Sequence, residues 1–162
     1  MTATTDDVIE RIDALERLIR GNQERYAPSM RLLTELVTTL TKTPGEAVDA
    51  ATFIAFFDTL PIPAWLKRLD ADGVLRMAWI NGAYERDTGV MATSYVGTDD
   101  GKVWDDVTVQ AFEENDRAVI ETRLILDTAE PADGKVWRGY KWPLIEGDKV
   151  VGVFGLALGL PQ

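Results

Sequence analysis

The sequence contains no cysteine and no histidine among its 162 residues. Without cysteine there is no disulfide, no thiolate nucleophile, no cysteine-ligated metal and no cysteinyl adduct to a flavin or bilin. Without histidine there is no imidazole ligand for haem, none of the usual zinc sites, no Ser-His-Asp catalysis and no phosphohistidine chemistry. These absences exclude most familiar catalytic machinery, and we expect a protein that is not an enzyme.

Long apolar runs and basic runs are also missing. No stretch approaches the roughly 20 apolar residues that span a bilayer, and the acidic, amphipathic start MTATTDDVIERIDALERLIR has the features of neither a signal nor a transit peptide. The formal net charge is -10, of which residues 44–162 account for -9. Such a surface repels phosphate backbones and anionic lipids. We therefore expect a cytoplasmic protein that binds neither nucleic acid nor membranes.

The first 42 residues have the heptad spacing of a helix that packs along a seam. One heptad position is apolar throughout (Ile12, Ile19, Tyr26, Leu33 and Leu40), and the other is polar at its centre (Val8, Leu15, Asn22, Ser29 and Leu36). Gly21 and Pro28 interrupt the same centre, and a proline inside a helix costs about 3 kcal/mol and kinks it.

Several arrangements fit this interrupted seam. One kinked helix could dimerise along its length, or two helices, about 6–20 and 29–42, could fold back as a hairpin. The amphipathic face could also lie on the protein's own domain or on a partner helix. We expect a homodimer, and the candidate dimerisation residues are Ile12, Leu15, Ile19, Tyr26, Leu33, Leu36 and Leu40.

A change of pattern at residue 43 predicts two regions, a helical region at 1–43 and a compact domain at 44–162. Thr43, Pro44 and Glu46 form a capping-box signature with proline at the first helical position. The run AVDAATFIAFFDTL that follows is predicted to be a helix that ends before Pro61.

Turn signals divide the compact domain into strands. DADG at 70–73, ADG at 132–134 and EGD at 146–148 each separate runs rich in Val, Ile and Trp, which is typical of hairpins. The predicted strands are AWLKRL and VLRMAWI early, then TRLILDT, KVWRGYKWPLI and VVGVFGLAL late. Between them the amphipathic run DVTVQAFEENDRAVIE predicts a helix. The expected fold is α+β, a five-stranded antiparallel sheet with short helices on one face.

The order of these elements resembles the PAS domain family over about residues 50–160. The stretch LPIPAWLKRLDADGVLRMAWINGAYERDTG resembles the opening of that fold, with Asn81, Ala83 and Gly89 in an Asn-x-Ala-x-x-x-x-x-Gly pattern. DGKVWRGYKWPLIEGDKVVGVFGLAL resembles its last hairpin. The resemblance implies a half-open cavity between sheet and helices, which in this family holds a flavin, a haem or a metabolite, or is filled by side chains. The missing His and Cys exclude His-ligated haem and a cysteinyl flavin, so the cofactor is unknown and none is required.

The resemblance suggests candidate pocket residues, each with a structural alternative. They are Trp79, Asn81, Tyr84, Arg123, Tyr140 and Trp142. Asn81 either caps the helix that follows it or contacts a ligand. The tryptophans either fill the core, pack between the sheet and a helix that covers it, or stack on a planar ligand. Tyr140 and Trp142 share one strand face, and Trp137 lies on the other.

The acidic segment TDDGKVWDD invites a metal site, but its spacing does not match a calcium loop. We interpret it as a solvated turn followed by a helix cap. No metal site and no catalytic residues are predicted.

Two functional hypotheses follow. The first is a non-enzymatic, PAS-like sensory module that dimerises through its N-terminal helices, has the PAS cavity available for a small ligand and acts on a protein partner. The alternative is an adaptor or structural interaction domain whose core is filled by side chains and holds no ligand. A cavity of several hundred Å³ would favour the first. An enzyme that uses carboxylates and tyrosine is a third hypothesis, which the missing histidine and cysteine disfavour.

Overall fold

The computed structural model describes residues 50–159, with side chains described between residues 54 and 157. The chain divides into two compact units between Pro61 and Ile62. Within the first unit the described residues form α1 (Ala50–Asp58), inside the helix predicted before Pro61. The helical region predicted for 1–43 lies outside the described residues, as do its seven seam residues Ile12, Leu15, Ile19, Tyr26, Leu33, Leu36 and Leu40.

The second unit is built around one antiparallel sheet. Its elements are β1 (Ala64–Leu69), β2 (Leu75–Ile80), α2 (Gly82–Thr88), α3 (Ala92–Tyr95), a 3₁₀ helix (Asp100–Lys102), α4 (Asp106–Thr122), β3 (Leu126–Ala132), β4 (Lys135–Glu146) and β5 (Lys149–Gly159). The strands lie in the order β2-β1-β5-β4-β3. The predicted α+β fold, with five antiparallel strands and helices between the second and third, is confirmed. Across residues 50–159, no helix is long and apolar enough to span a membrane.

The three predicted turns close three hairpins. In the first, Gly73 has a φ of 81° and its amide donates to the Asp70 carbonyl at 2.9 Å. In the second, Asp133 and Gly134 have φ values of 53° and 67°. Two consecutive left-handed residues twist the chain in the same sense as the strands they join, which favours a tight hairpin.

The third strand is where the sequence-based prediction is wrong. The run TRLILDT was expected to be a strand, yet α4 continues to Thr122 and Arg123 ends it in a left-handed conformation with a φ of 59°. Leu124 and Ile125 are exposed in the loop that follows, so their hydrophobicity marks no buried strand. β3 begins at Leu126 and includes Pro131, which is tolerated because β3 is at the edge of the sheet.

The sheet has two different faces. Residues paired across neighbouring strands lie on the same face, and the pairs of β1 with β5 and of β5 with β4 therefore define each face. The inner face carries Trp65, Lys67, Met77, Trp137 and Lys141, and α4 packs against the strands here. The outer face carries Leu66, Trp79, Tyr140, Trp142 and Phe154.

An irregularity in β2 decides the position of Trp79. Lys67 pairs with Met77 while its neighbour Leu66 pairs with Trp79, so β2 has one extra residue there. Without it, Met77 and Trp79 would share a face because strand side chains alternate with a period of two. The extra residue places Trp79 on the outer face, opposite Leu66.

Candidate functional site

Five charged side chains form a continuous buried cluster on the inner face. We call this the charge chain: Asp100, Lys67, Asp116, Lys141 and Glu130, in that order. Lys67 Nζ lies 2.5 Å from Asp100 Oδ2 and 2.7 Å from Asp116 Oδ2. Lys141 Nζ lies 2.7 Å from Asp116 Oδ1 and 2.6 Å from Glu130 Oε1. The two carboxylate oxygens of Asp116 thus bind one ammonium each.

Each member of the charge chain comes from a different element. The three strand residues are Lys67 on β1, Glu130 on β3 and Lys141 on β4, and the aspartates come from the 3₁₀ helix and α4. On α4, Phe112 and Asp116 are four residues apart and therefore lie on one face of the helix. The charge chain consequently ties three strands of the sheet to two helical segments.

Neighbouring polar and aromatic groups complete the cluster. The Tyr95 hydroxyl donates to Asp100 Oδ1 and accepts from Trp104 Nε1 at 3.2 Å. Asn115 Nδ2 donates to Glu130 Oε1 at 2.9 Å. The Phe112 ring centroid lies 5.3 Å from Lys67 Nζ and 5.2 Å from Lys141 Nζ, within the range of a cation–π contact.

Two members of the charge chain, Lys67 and Asp116, have pKa values shifted toward their ionised forms. Burial alone would lower the pKa of the Lys67 ammonium, but the carboxylates of Asp116 and Asp100 outweigh burial and raise that pKa above its ordinary value. Burial would likewise raise the pKa of Asp116, yet Lys67 and Lys141 hold it below the usual range. Burial also raises the pKa of the Tyr95 hydroxyl, and the Asp100 carboxylate that accepts its hydrogen bond raises it further, so this phenol stays a hydrogen-bond donor.

A small cavity adjoins the charge chain. Its volume is about 30 Å³, enough for a water molecule or two and far below the roughly 300–1,000 Å³ of ligand pockets. Its wall includes three charged residues, Lys67, Lys141 and Glu130. The remaining wall is mostly aromatic, with Trp65, Tyr84, Tyr95, Trp104, Phe112 and Trp137.

Gly155 allows Trp65 to lie across the sheet beside this cavity. The two residues are paired between β1 and β5. A Cβ on Gly155 would come within 2.3 Å of the Trp65 ring, so the indole occupies the space of the missing side chain. Trp65 in turn lies 6.0 Å from Lys141 Nζ. Glycine at this position therefore helps to close the inner face.

Asn81 has a structural role. Its Oδ1 accepts from the Tyr84 amide at 2.9 Å, which caps α2, and from the Ala64 amide at 3.0 Å. Its Nδ2 donates to the Ile62 carbonyl at 2.9 Å. Asn81 is fully buried and joins the beginning of β1 to the beginning of α2. The capping interpretation is confirmed.

Of the six candidate pocket residues, Tyr84 lines the cavity. The structure places the other five outside its wall. Asn81 is the helix cap, and Trp79, Tyr140 and Trp142 belong to the outer face, where Tyr140 and Trp142 have ring centroids 6.4 Å apart. Arg123 is exposed after α4 and its Nη2 donates to the Asp148 carbonyl at 2.8 Å. The ligand-binding role of these residues stays a prediction.

The acidic segment splits into two functions. Asp105 caps α4, because its Oδ1 accepts from the Thr108 amide at 2.8 Å. Asp100, expected in a solvated turn, is instead buried against Lys67, and this part of the prediction is wrong. No group of three or more acidic side chains in the described part of the chain is arranged to hold a metal ion.

Sequence reasoning missed the charge chain because charged residues are normally exposed. A signal was nevertheless present in the strand pattern. Lys67 alternates with Trp65 on β1, and Lys141 lies four residues after Trp137 on β4, so each lysine shares a face with a core tryptophan. A lysine on the apolar face of a strand requires a buried partner.

Comparisons with known proteins place this geometry in a family. The sequence model of the family described as PAS fold matches residues 59–159, which include the sheet and the charge chain. No curated protein matches the chain.

Solved structures share the fold at low identity. The PAS domain of a protein from Colwellia psychrerythraea superposes with a TM-score of 0.55 at 13% identity, covering 68% of this chain and 95% of that one. A LOV protein from Rhodobacter sphaeroides gives 0.55 at 16%, covering 70% and 69%. A domain of an HTR-like protein from Haloarcula marismortui gives 0.52 at 12%, covering 62% and 99%. The similarity at these identities is one of fold.

Proposed function

The chain belongs to the PAS fold family, and we propose that it is a non-enzymatic sensory or signalling module that dimerises and passes its signal to a protein partner. The match to the PAS fold family supports the sensory or signalling role. The adaptor-like form of this role, in which side chains fill the core, is the one that the geometry supports best.

The size of the inner cavity carries this proposal. A volume of about 30 Å³ is roughly one tenth of the smallest typical ligand pocket. The aromatic wall and the charge chain take up the space between the sheet and α4. A signal that reaches this core must therefore be small, or must arrive through another surface.

The residues present do not fit a flavin or a haem. Either group needs a pocket of several hundred Å³, and Trp65, Lys67 and Lys141 fill the inner face instead. Making room would expose the buried ammonium groups or break their ion pairs, which costs several kcal/mol for each uncompensated ion.

The charge chain gives the domain a way to respond as a unit. It joins β1, β3 and β4 to the 3₁₀ helix and α4. Lys67 and Lys141 share Asp116, so a movement of one ammonium group changes the surroundings of the other. We propose that dimerisation through residues 1–43 transmits the response, with the polar seam centre at Asn22 and Ser29 as the adjustable part.

Native mass spectrometry of the full chain tests the central proposal. The expected result is a dimer with no additional mass of several hundred daltons. Additional mass in that range would contradict the filled core and favour a ligand-binding sensor. A monomer at micromolar concentration would contradict the dimer instead, so the two parts fail separately.

Paired substitutions test the seam. Ile19→Asp introduces a charge at an apolar heptad position and is expected to shift the full chain from dimer to monomer by light scattering. Arg17→Asp is the matched control, since residue 17 lies outside both seam positions. Equal dimerisation of the two variants would show that the seam is not the interface.

A further inference from the structure

We propose that the inner cavity binds a small ammonium ion, NH₄⁺ or methylammonium, next to Glu130. The proposal goes beyond the proposed function, which requires no ligand. It depends on the charge balance of the charge chain, on an oxygen of Glu130 and on the size and lining of the cavity.

The charge chain has an excess negative charge. Its three carboxylates (Asp100, Asp116 and Glu130) face two ammonium groups (Lys67 and Lys141), so the ionised cluster carries a formal charge of -1. Both lysines and Asp116 are 1–2% exposed. An uncompensated charge in such surroundings is strongly disfavoured, and one monovalent cation beside the cluster would neutralise it.

Glu130 offers the binding atom. This side chain is buried and lines the cavity. Lys141 and Asn115 both bind its Oε1, and among the described residues no hydrogen-bond donor is directed at Oε2. Gly139 lies against Oε2, and a Cβ there would approach it to 3.1 Å. Glycine at this position leaves the second carboxylate oxygen accessible.

The two lysines in the wall do not oppose a cation. Each Nζ is already bound by two carboxylates, so its charge is compensated within the charge chain. The same aromatic wall already accepts ammonium groups, since Phe112 lies near 5 Å from both of them. Further rings of this wall, including Trp104 and Trp137, are available for cation–π contact with a guest ion.

Cavity size restricts the guest. About 30 Å³ admits a species the size of water, which includes NH₄⁺ and, with slight adjustment, methylammonium. Tetramethylammonium is too large. An anion of the same size would add to the excess negative charge. The chemistry is therefore that of a small N–H donor cation.

Thermal unfolding of the full chain in different chloride salts at equal ionic strength tests the proposal. Ammonium and methylammonium chloride are expected to raise the Tm saturably by about 4 °C relative to sodium chloride, a shift that corresponds to binding at concentrations several-fold above Kd. Tetramethylammonium chloride is expected to behave like sodium chloride. Equal Tm values in all four salts would overturn the proposal and leave the cavity to water.

Three variants separate specific binding from a general salt effect. Glu130→Gln removes the charge and is expected to abolish the ammonium response, whereas Asp127→Asn, an exposed carboxylate on the same strand, is expected to keep it. Ala132→Val fills the cavity without changing any charge and should also abolish the response. If Glu130→Gln fails to fold, Ala132→Val decides. A full response in the cavity-filled variant would contradict binding at this site.

Discussion

Opposite charges meet in two settings in this domain, buried in the charge chain and exposed at the edges of the sheet. Arg76 lies 2.7 Å from both Asp70 and Asp72, and Arg138 lies 2.6 Å from Asp127. These distances equal those of the charge chain, yet the exposed partners remain about half accessible to water. Geometry alone therefore does not distinguish the two settings.

The difference lies in what replaces a lost partner. Water solvates an exposed carboxylate whose arginine is removed, so such a pair contributes about 0–1 kcal/mol. Asp116 and Lys141 are each 1% exposed, so bulk solvent cannot replace a lost partner, and removing one member leaves an uncompensated buried ion. The buried cluster must be complete, whereas each exposed pair is dispensable.

The largest expected effect comes from breaking the charge chain at its centre. Asp116→Asn removes the charge shared by Lys67 and Lys141 and should lower the free energy of unfolding by about 3–5 kcal/mol. The measurement is urea denaturation. Asp127→Asn is the matched control, with an expected loss below about 1 kcal/mol. Similar losses for both variants would mean that burial makes no difference.

Low pH should reduce the stability that Asp116 contributes. The pKa of Asp116 is lowered by its lysine partners against the effect of burial, so its contribution to stability is present above the ordinary aspartate pKa of about 3.9 and is lost as pH falls through its lower value in the folded state. Lys67 has a raised pKa and loses its contribution only at alkaline pH. The free energy of unfolding should therefore decrease at pH values below about 4.

Measuring the pH dependence of stability for both the wild type and Asp116→Asn isolates the contribution of Asp116 to this acid response. Other carboxylates with lowered pKa values, such as Asp127 and Asp105, remain in the variant. The difference in stability between wild type and variant should narrow as the pH falls from 5 to 2. A constant difference over that range would show that Asp116 is not ionised in the native state.

A smaller loss is expected from disturbing the aromatic cover of the charge chain. Gly155→Ala places a methyl group where the Trp65 ring lies, and overpacking of this kind costs about 1–3 kcal/mol. Gly82→Ala is the control, because nothing lies within 4 Å of its added carbon. Tryptophan fluorescence during denaturation measures both. Equal stability of the two would show that Trp65 can move without loss.

The smallest effect is expected at the exposed pairs. The hydrogen bond from Arg76 is the largest of the effects that lower the pKa of Asp72 to about 2. The two side chains are therefore in contact although both are exposed to solvent. Arg76→Gln should change the free energy of unfolding far less than Asp116→Asn does, and added salt should reduce the difference between wild type and variant because exposed charges are screened. A loss comparable to that of Asp116→Asn would remove the contrast between the two settings.

Much of the architecture was readable from local patterns. Asp-Gly turns, alternating strands and the amphipathic helix before Thr122 depend on short-range backbone preferences, and the number and order of the strands and the cap at Asn81 follow from them. The beginning of β3 was misplaced because Leu124 and Ile125 are hydrophobic yet exposed. Hydrophobicity indicates burial only where the tertiary structure supplies a partner.

By itself, the sequence determined the fold class and excluded cysteine- and histidine-dependent chemistry within these 162 residues, because turn residues and periodicity act locally and a missing residue type needs no structure to be recognised. Only the tertiary structure decided where the charges lie. The five members of the charge chain are spread over 75 residues, from Lys67 to Lys141. Each is of a residue type that is normally found at the protein surface. They became a site because sheet order and helix packing brought them within 2.5–2.7 Å of one another. The energy of a buried ion depends on those neighbours, which no local pattern encodes.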